Sequence, residues 1–156
     1  MKPVIVVISE FSWTVKAMHL ACAFARNTQS PLLILDFRMT KNVGLLGMGI
    51  GYNPPTVQEY AELKDYLMIA EDYGVISTLQ PVEYESFSDA LVQMVEWFEP
   101  QTIFANMPKS VIPFFAQIQL RAVRRQLNHL NCNLYTLDET AYQEKLLPQM
   151  GVLMPK

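Results

Sequence analysis

The chain has 156 residues, of which 51% are apolar and only 17% charged, and this length suits one domain with its own core. Its net charge of −3 offers no basic face for nucleic acid or for an anionic membrane, so neither is an expected partner. No apolar run approaches the ~20 residues that cross a bilayer.

The first predicted element is Val4–Ile8, β-branched and continuously apolar, as in a central strand covered on both faces. Ser9 and Ser12 offer caps for a helix from Trp13 to Arg26, with Trp13, Ala17, Leu20, Ala21 and Phe24 inward. A second strand, Leu32–Phe37, completes a right-handed βαβ unit. Arg38 to Pro55 has no periodicity and holds Gly44, Gly47, Gly49 and Gly51. Their spacing is not a dinucleotide fingerprint, so the segment reads as a mobile lid or contact loop.

Thr56 caps a second helix, with Val57, Tyr60, Leu63, Leu67 and Ala70 on one face and Gly74 placed to end it. A third strand starts at Val75 and meets Pro81, which suits a sheet edge. Ser86 and Asp89 frame a helix start, and the third helix runs to about Phe98 with Leu91, Val95 and Phe98 inward. The fourth strand is Thr102–Ala105. Pro113 opens a fourth helix through Leu130, with Phe115, Ile118 and Ala122 inward and Val123 and Leu127 on the flanking row. Asn133–Leu137 is a fifth strand. Residues 138–156 form an appendage: a short amphipathic segment around Tyr142–Leu147, then the apolar tail Met150–Met154. Strands alternating with helices predict a parallel α/β sheet, with a ligand crevice beyond its strand ends.

With these elements placed, residues Val4 to Leu137 resemble a universal stress protein domain. The resemblance lies in Val4–Ile8 with Ala17, Leu20, Ala21 and Ala25 behind it, in Gly74-Val75, and in Gln126–Leu134 with Cys132. It implies an adenine nucleotide alpha hydrolase-like (Rossmann-like) fold: a five-stranded parallel sheet in the order 3-2-1-4-5, helices on both faces, and a dimer. Two departures stand out. Ser9 and Glu10 stand where many members have Asp and Gly, and 106–125 lacks the glycines that ATP-binding members carry after the fourth strand. The chain is similar to members that do not bind ATP.

The crevice between the first and fourth strand ends is expected to be lined by Ser9, Glu10, Phe37, Asn106 and Lys109. One reading makes it a pocket for a small polar ligand, with Ser9 and Asn106 as hydrogen-bond partners and Lys109 as the cation. The other fills it with Phe11, Met107 and Pro108. Glu10 repels phosphate, and Pro108 has no N–H to donate. His19 and His129 lack neighbouring metal ligands in the sequence, Asp36 is a lone strand-end acid, and Cys22 lies among apolar residues, so no metal is expected. Arg121, Arg124 and Arg125 read as a solvated basic face. Pyrophosphatase-type and response-regulator loops are absent around Ser9–Ser12.

These readings lead to a non-catalytic regulatory or interaction protein of the stress-response type, with no cofactor. A nucleotide- or small-ligand-binding module is the alternative, and an enzyme with a site not legible in sequence is a third. Two cysteines in apolar settings and a start that runs straight into a strand predict a reduced, cytoplasmic protein. The high apolar fraction, the edge position of the fifth strand and the apolar tail predict a homodimer built on the fifth strand and the appendage. The tail folding back over its own edge strand is the alternative.

Overall fold

In a computed structural model the described residues are 1–40, 54–109 and 111–137. The loop at Gly44–Gly51 and the appendage 138–156 lie outside them. The elements are β1 (Val4–Val7), α1 (Phe11–Thr28), β2 (Leu32–Met39), α2 (Val57–Asp72), β3 (Ser77–Tyr84), α3 (Phe87–Phe98), β4 (Thr102–Phe104), α4 (Pro113–His129) and β5 (Asn133–Tyr135). They make one parallel sheet, as the alternation of elements predicts, in the order β3-β2-β1-β4-β5 that the resemblance implies.

β1 is central because every residue in it is apolar. Successive side chains of a strand point to opposite faces, so a strand covered on both sides has no room for a polar residue. Ile5 and Val7 join Leu33, Leu35 and Ile103 in one core, packed by Leu91, Met94 and Val95 of α3 and by Val123 and Leu127 of α4. Val4 and Val6 join Leu32 and Ile34 in the other, beneath Ala17, Met18, Ala21, Cys22 and Ala25 of α1 and Tyr66 and Ala70 of α2. Small residues on α1 let that helix lie close to the sheet.

Caps follow the expected chemistry in two helices. The Thr56 hydroxyl accepts from the Glu59 N–H, and the Glu59 carboxylate accepts from the Thr56 N–H, closing a capping box. Ser86 accepts from the Asp89 N–H. Gly74 takes a φ of +68° just past α2, where a side chain is strained. At α1 neither Ser9 nor Ser12 caps. The helix starts at Phe11 with Glu10 in the cap position and no side-chain cap bond.

β3 begins two residues later than Val75 and continues through Pro81 to Tyr84. Its edge position tolerates a residue that cannot donate on the open side. The helical faces need larger correction. In α4, Phe115, Ile118 and Ala122 face solvent; the inward row is Ala116 and Leu120, partly covered, then Val123 and Leu127. In α2, Tyr66 and Ala70 are buried, while Val57, Tyr60 and Leu67 are exposed. In α1, Leu20 is exposed and the buried positions include Thr14, Met18 and Cys22.

Candidate functional site

In a parallel sheet the strand ends and the following helix starts gather at one end, and there the turn after β1 meets the turn after β4. Asn106 Nδ2 donates to Ser9 Oγ at 3.3 Å. Lys109 Nζ reaches Glu10 Oε1 at 3.1 Å, with both side chains mostly in solvent. Four of the five expected crevice residues are therefore brought together, as two pairs. Phe37 belongs elsewhere. Its ring packs on Tyr84 and Phe87, at centroid separations of 5.6 and 5.3 Å, beside the core under α3 and α4.

Under the Ser9–Glu10 turn lies a residue that sequence reasoning missed. Thr14 is fully buried; its Oγ1 accepts from the Ser9 N–H at 2.9 Å and donates to the Glu10 carbonyl at 3.0 Å. One hydroxyl thus bridges the Ser9 N–H and the Glu10 carbonyl across the turn into α1. The signal that could have found it is a polar residue one turn into an otherwise apolar helical row. Tyr66 approaches from α2, its ring 6.0 Å from that of Phe11. Burial pushes its phenol above the usual range; the Thr14 hydroxyl opposes the rise and the Glu62 and Asp65 carboxylates add to it. Thr14 Oγ1 donates to Glu10 and accepts from Ser9, which leaves it one further acceptor lone pair near the Tyr66 hydroxyl, and the buried Tyr66 oxygen has no well-formed partner among the described residues.

A second unforeseen contact ties the end of β5 to the same region. Trp13 Nε1 donates to the Thr136 carbonyl at 2.9 Å, and Arg124 Nη2 donates to Thr136 Oγ1 at 3.2 Å. Arg124 is thereby drawn out of the basic face expected for it.

The chemistry on offer is recognition by hydrogen bonds and charge. The Ser9 hydroxyl is partnered by an amide, which takes no proton, so that pair activates no nucleophile. Asp36 is held by Arg38 at 2.7 Å, and His19 Nδ1 lies 3.2 Å from the Tyr73 hydroxyl. Burial pushes both the Cys22 and Cys132 thiols up to about 11, away from the thiolate form that binds metal or attacks carbon. Among the described residues no three of His, Cys, Asp and Glu cluster as a metal site, and no helix is long and apolar enough to cross a membrane.

No family model matches this sequence, and no curated protein matches it. Solved structures do. A protein of the universal stress protein family from Burkholderia pseudomallei superposes with a TM-score of 0.57 at 15% identity, over 87% of this chain and 95% of that one. A universal stress protein in complex with cAMP gives 0.57 at 14% identity, over 88% and 98%. The universal stress protein of Archaeoglobus fulgidus gives 0.56 at 12% identity, over 88% and 94%. At these identities the likeness is one of architecture, and it agrees with the strand order: this chain has the universal stress protein fold.

Proposed function

We propose that this chain is a non-catalytic, dimeric regulatory or interaction protein that uses the universal stress protein fold without binding ATP. The observation that carries the reading is that the polar groups of the crevice are satisfied by one another, Asn106 by Ser9 and Lys109 by Glu10. A phosphate entering there has to displace or face the Glu10 carboxylate. It meets Pro108, which has no N–H, and a segment, 106–125, without a glycine to bring the backbone close. Titration calorimetry with ATP, ADP, AMP and cAMP, with and without magnesium, tests this. The expected result is no saturable heat up to about 1 mM nucleotide; tight, magnesium-dependent ATP binding overturns it.

A second reading has a specific support, namely the neighbour solved with cAMP. On it, Ser9, Asn106 and Lys109 hold a small adenine nucleotide or another polar ligand after the Glu10–Lys109 pair opens. The same titration decides, and Lys109→Ala then weakens whatever binding is found.

The dimer is proposed on the β5 edge. At the opposite edge β3 carries Pro81 and Glu83, which discourage an added strand. β5 presents Asn133, Leu134 and Tyr135, uncharged, with Tyr135 exposed. An interface of roughly 1,500 Å² in total is expected for a stable pair. Sedimentation equilibrium of the full chain checks it, and a monomer at tens of micromolar overturns it.

A further inference from the structure

α4 has apolar faces on two opposite sides. The inward face buries Val123 and Leu127 in the core. The outward face carries Phe114, 69% exposed, Phe115, 55%, and Ile118, 44%. At about 100° per residue Ile118 lies diametrically opposite Leu127, and Phe114 and Phe115 flank it at about 100° from each other. That is the width of a stripe that ordinarily meets a core, yet it is exposed among the described residues. Phe115, Ile118, Ala122 and Arg125 are spaced by three, four and three residues, the spacing of a seam between two helices.

We propose that this face pairs with the same face of a second copy of the chain, the two α4 helices running antiparallel about a two-fold axis at Ile118. Size is the first support. In that register Phe114 lies across from Ala122 of the other copy, so a large ring meets a small residue. Phe115 lies across from Arg121 of the other copy, where a guanidinium on a ring face is attractive. Charge is the second support, and it fixes the register. The outward face holds Arg121 and Arg125 and no acid, while Arg124 is engaged by Thr136. With the axis at Ile118 the two Arg121 positions are about 9 Å apart along the helices and the two Arg125 positions about 21 Å, so screening weakens their repulsion. Moving the axis one turn on, to Ala122, brings the two Arg121 positions within about 3 Å along the helices. Moving it one turn back, to Phe115, sets Arg121 across from Lys109. In the proposed register Lys109 falls beyond the paired turns and arrives with Glu10 bound to it.

The contact is small. One helix crossing falls short of the roughly 1,600 Å² of a standard interface, so the pairing is weak and depends on concentration. It is also separate from the β5 pairing. The outward face of α4 points away from the sheet, whereas the β5 edge opens within the sheet plane. Where both contacts form, the chain assembles as a dimer of dimers.

Sedimentation equilibrium of the full-length protein from about 1 to 100 µM tests the contact. The wild type is expected to double its mass over that range, from monomer to dimer or, where β5 also pairs, from dimer to tetramer. Ile118→Arg sets two like charges at the axis and moves the doubling to a concentration at least about tenfold higher. Its side chain is 44% exposed, and circular dichroism confirms that the variant is folded. A short bismaleimide then reads the register. Ile118→Cys is expected to link to itself, whereas Gln126→Cys, exposed on the same helix but about 24 Å from its counterpart along the axis, is not. Cys22 and Cys132 are buried and stay unreacted. A wild type that stays monomeric to 100 µM overturns the proposal. So does an Ile118→Arg protein that associates as the wild type does, which leaves the face to another occupant while the β5 pairing stands or falls separately. Linking of Ile118→Cys no faster than Gln126→Cys overturns it as well.

Discussion

The side-chain amide of Asn106 donates to the hydroxyl of Ser9 across 3.3 Å, joining the turns after β4 and β1 from positions 97 apart in the chain. It spends a polar group of each turn on the other. If the bond is formed in solution, Ser9→Ala and Asn106→Ala each cost about 1 kcal/mol, and the double-mutant cycle returns a coupling of about 0.5–1.5 kcal/mol. Urea unfolding of the four proteins measures it. Strict additivity shows that the two groups do not interact.

Trp13 spans a longer separation, from the first turn of α1 to the carbonyl of Thr136. Trp13→Phe keeps an aromatic ring in the partly buried site but removes the donor, leaving a part-buried carbonyl without it. A loss of about 1–2 kcal/mol is expected, seen as a lower urea midpoint with an unchanged slope. A wild-type midpoint shows that the indole N–H contributes nothing there.

Cys22 and Cys132 set a limit at high pH. Each thiol is raised from its ordinary 9.0 to about 11 by burial, with Lys2 opposing the rise at Cys132. Between those values the unfolded chain has released protons that the folded chain still holds, so stability falls as pH rises. Their contribution is intact below pH 9.0 and is lost by about pH 11. The slope is about 1.4 kcal/mol per pH unit for each thiol. Alkylation near pH 8 should follow global unfolding for both cysteines, and a fast-reacting thiol in the native protein contradicts their burial.

Tyr66 puts a hydroxyl into the core between α1 and α2 with no well-formed partner among the described residues. Removing an unsatisfied buried polar atom without changing the ring costs nothing in packing, so Tyr66→Phe is expected to be neutral or stabilising by up to about 1 kcal/mol. A fall in thermal midpoint instead identifies a hydrogen bond made by that oxygen.

Much of the architecture was legible one residue at a time. The unbroken apolar run of β1 placed it at the sheet centre, because a strand covered on both faces tolerates no alternation. Pro81 placed β3 at an edge, and Thr56, Ser86 and Pro113 marked helix starts through backbone chemistry that acts within three or four residues. Which row of a helix turns inward was not legible where two adjacent rows are both apolar. In α4, Phe115–Ile118–Ala122 and Ala116–Leu120–Val123–Leu127 differ by a rotation of one residue, about 100°, and periodicity does not distinguish them. The sheet did, because the neighbouring residues of β4, β5 and α3 fit only one of the two rows. The candidate site divides in the same way. Ser9, Glu10, Asn106 and Lys109 were identifiable as strand-end residues, since position along a strand is local information. Their pairing, the role of Thr14 beneath them and the removal of Phe37 to its own aromatic cluster depend on the register of β1 against β4 and on the turns that follow, which only the folded chain determines.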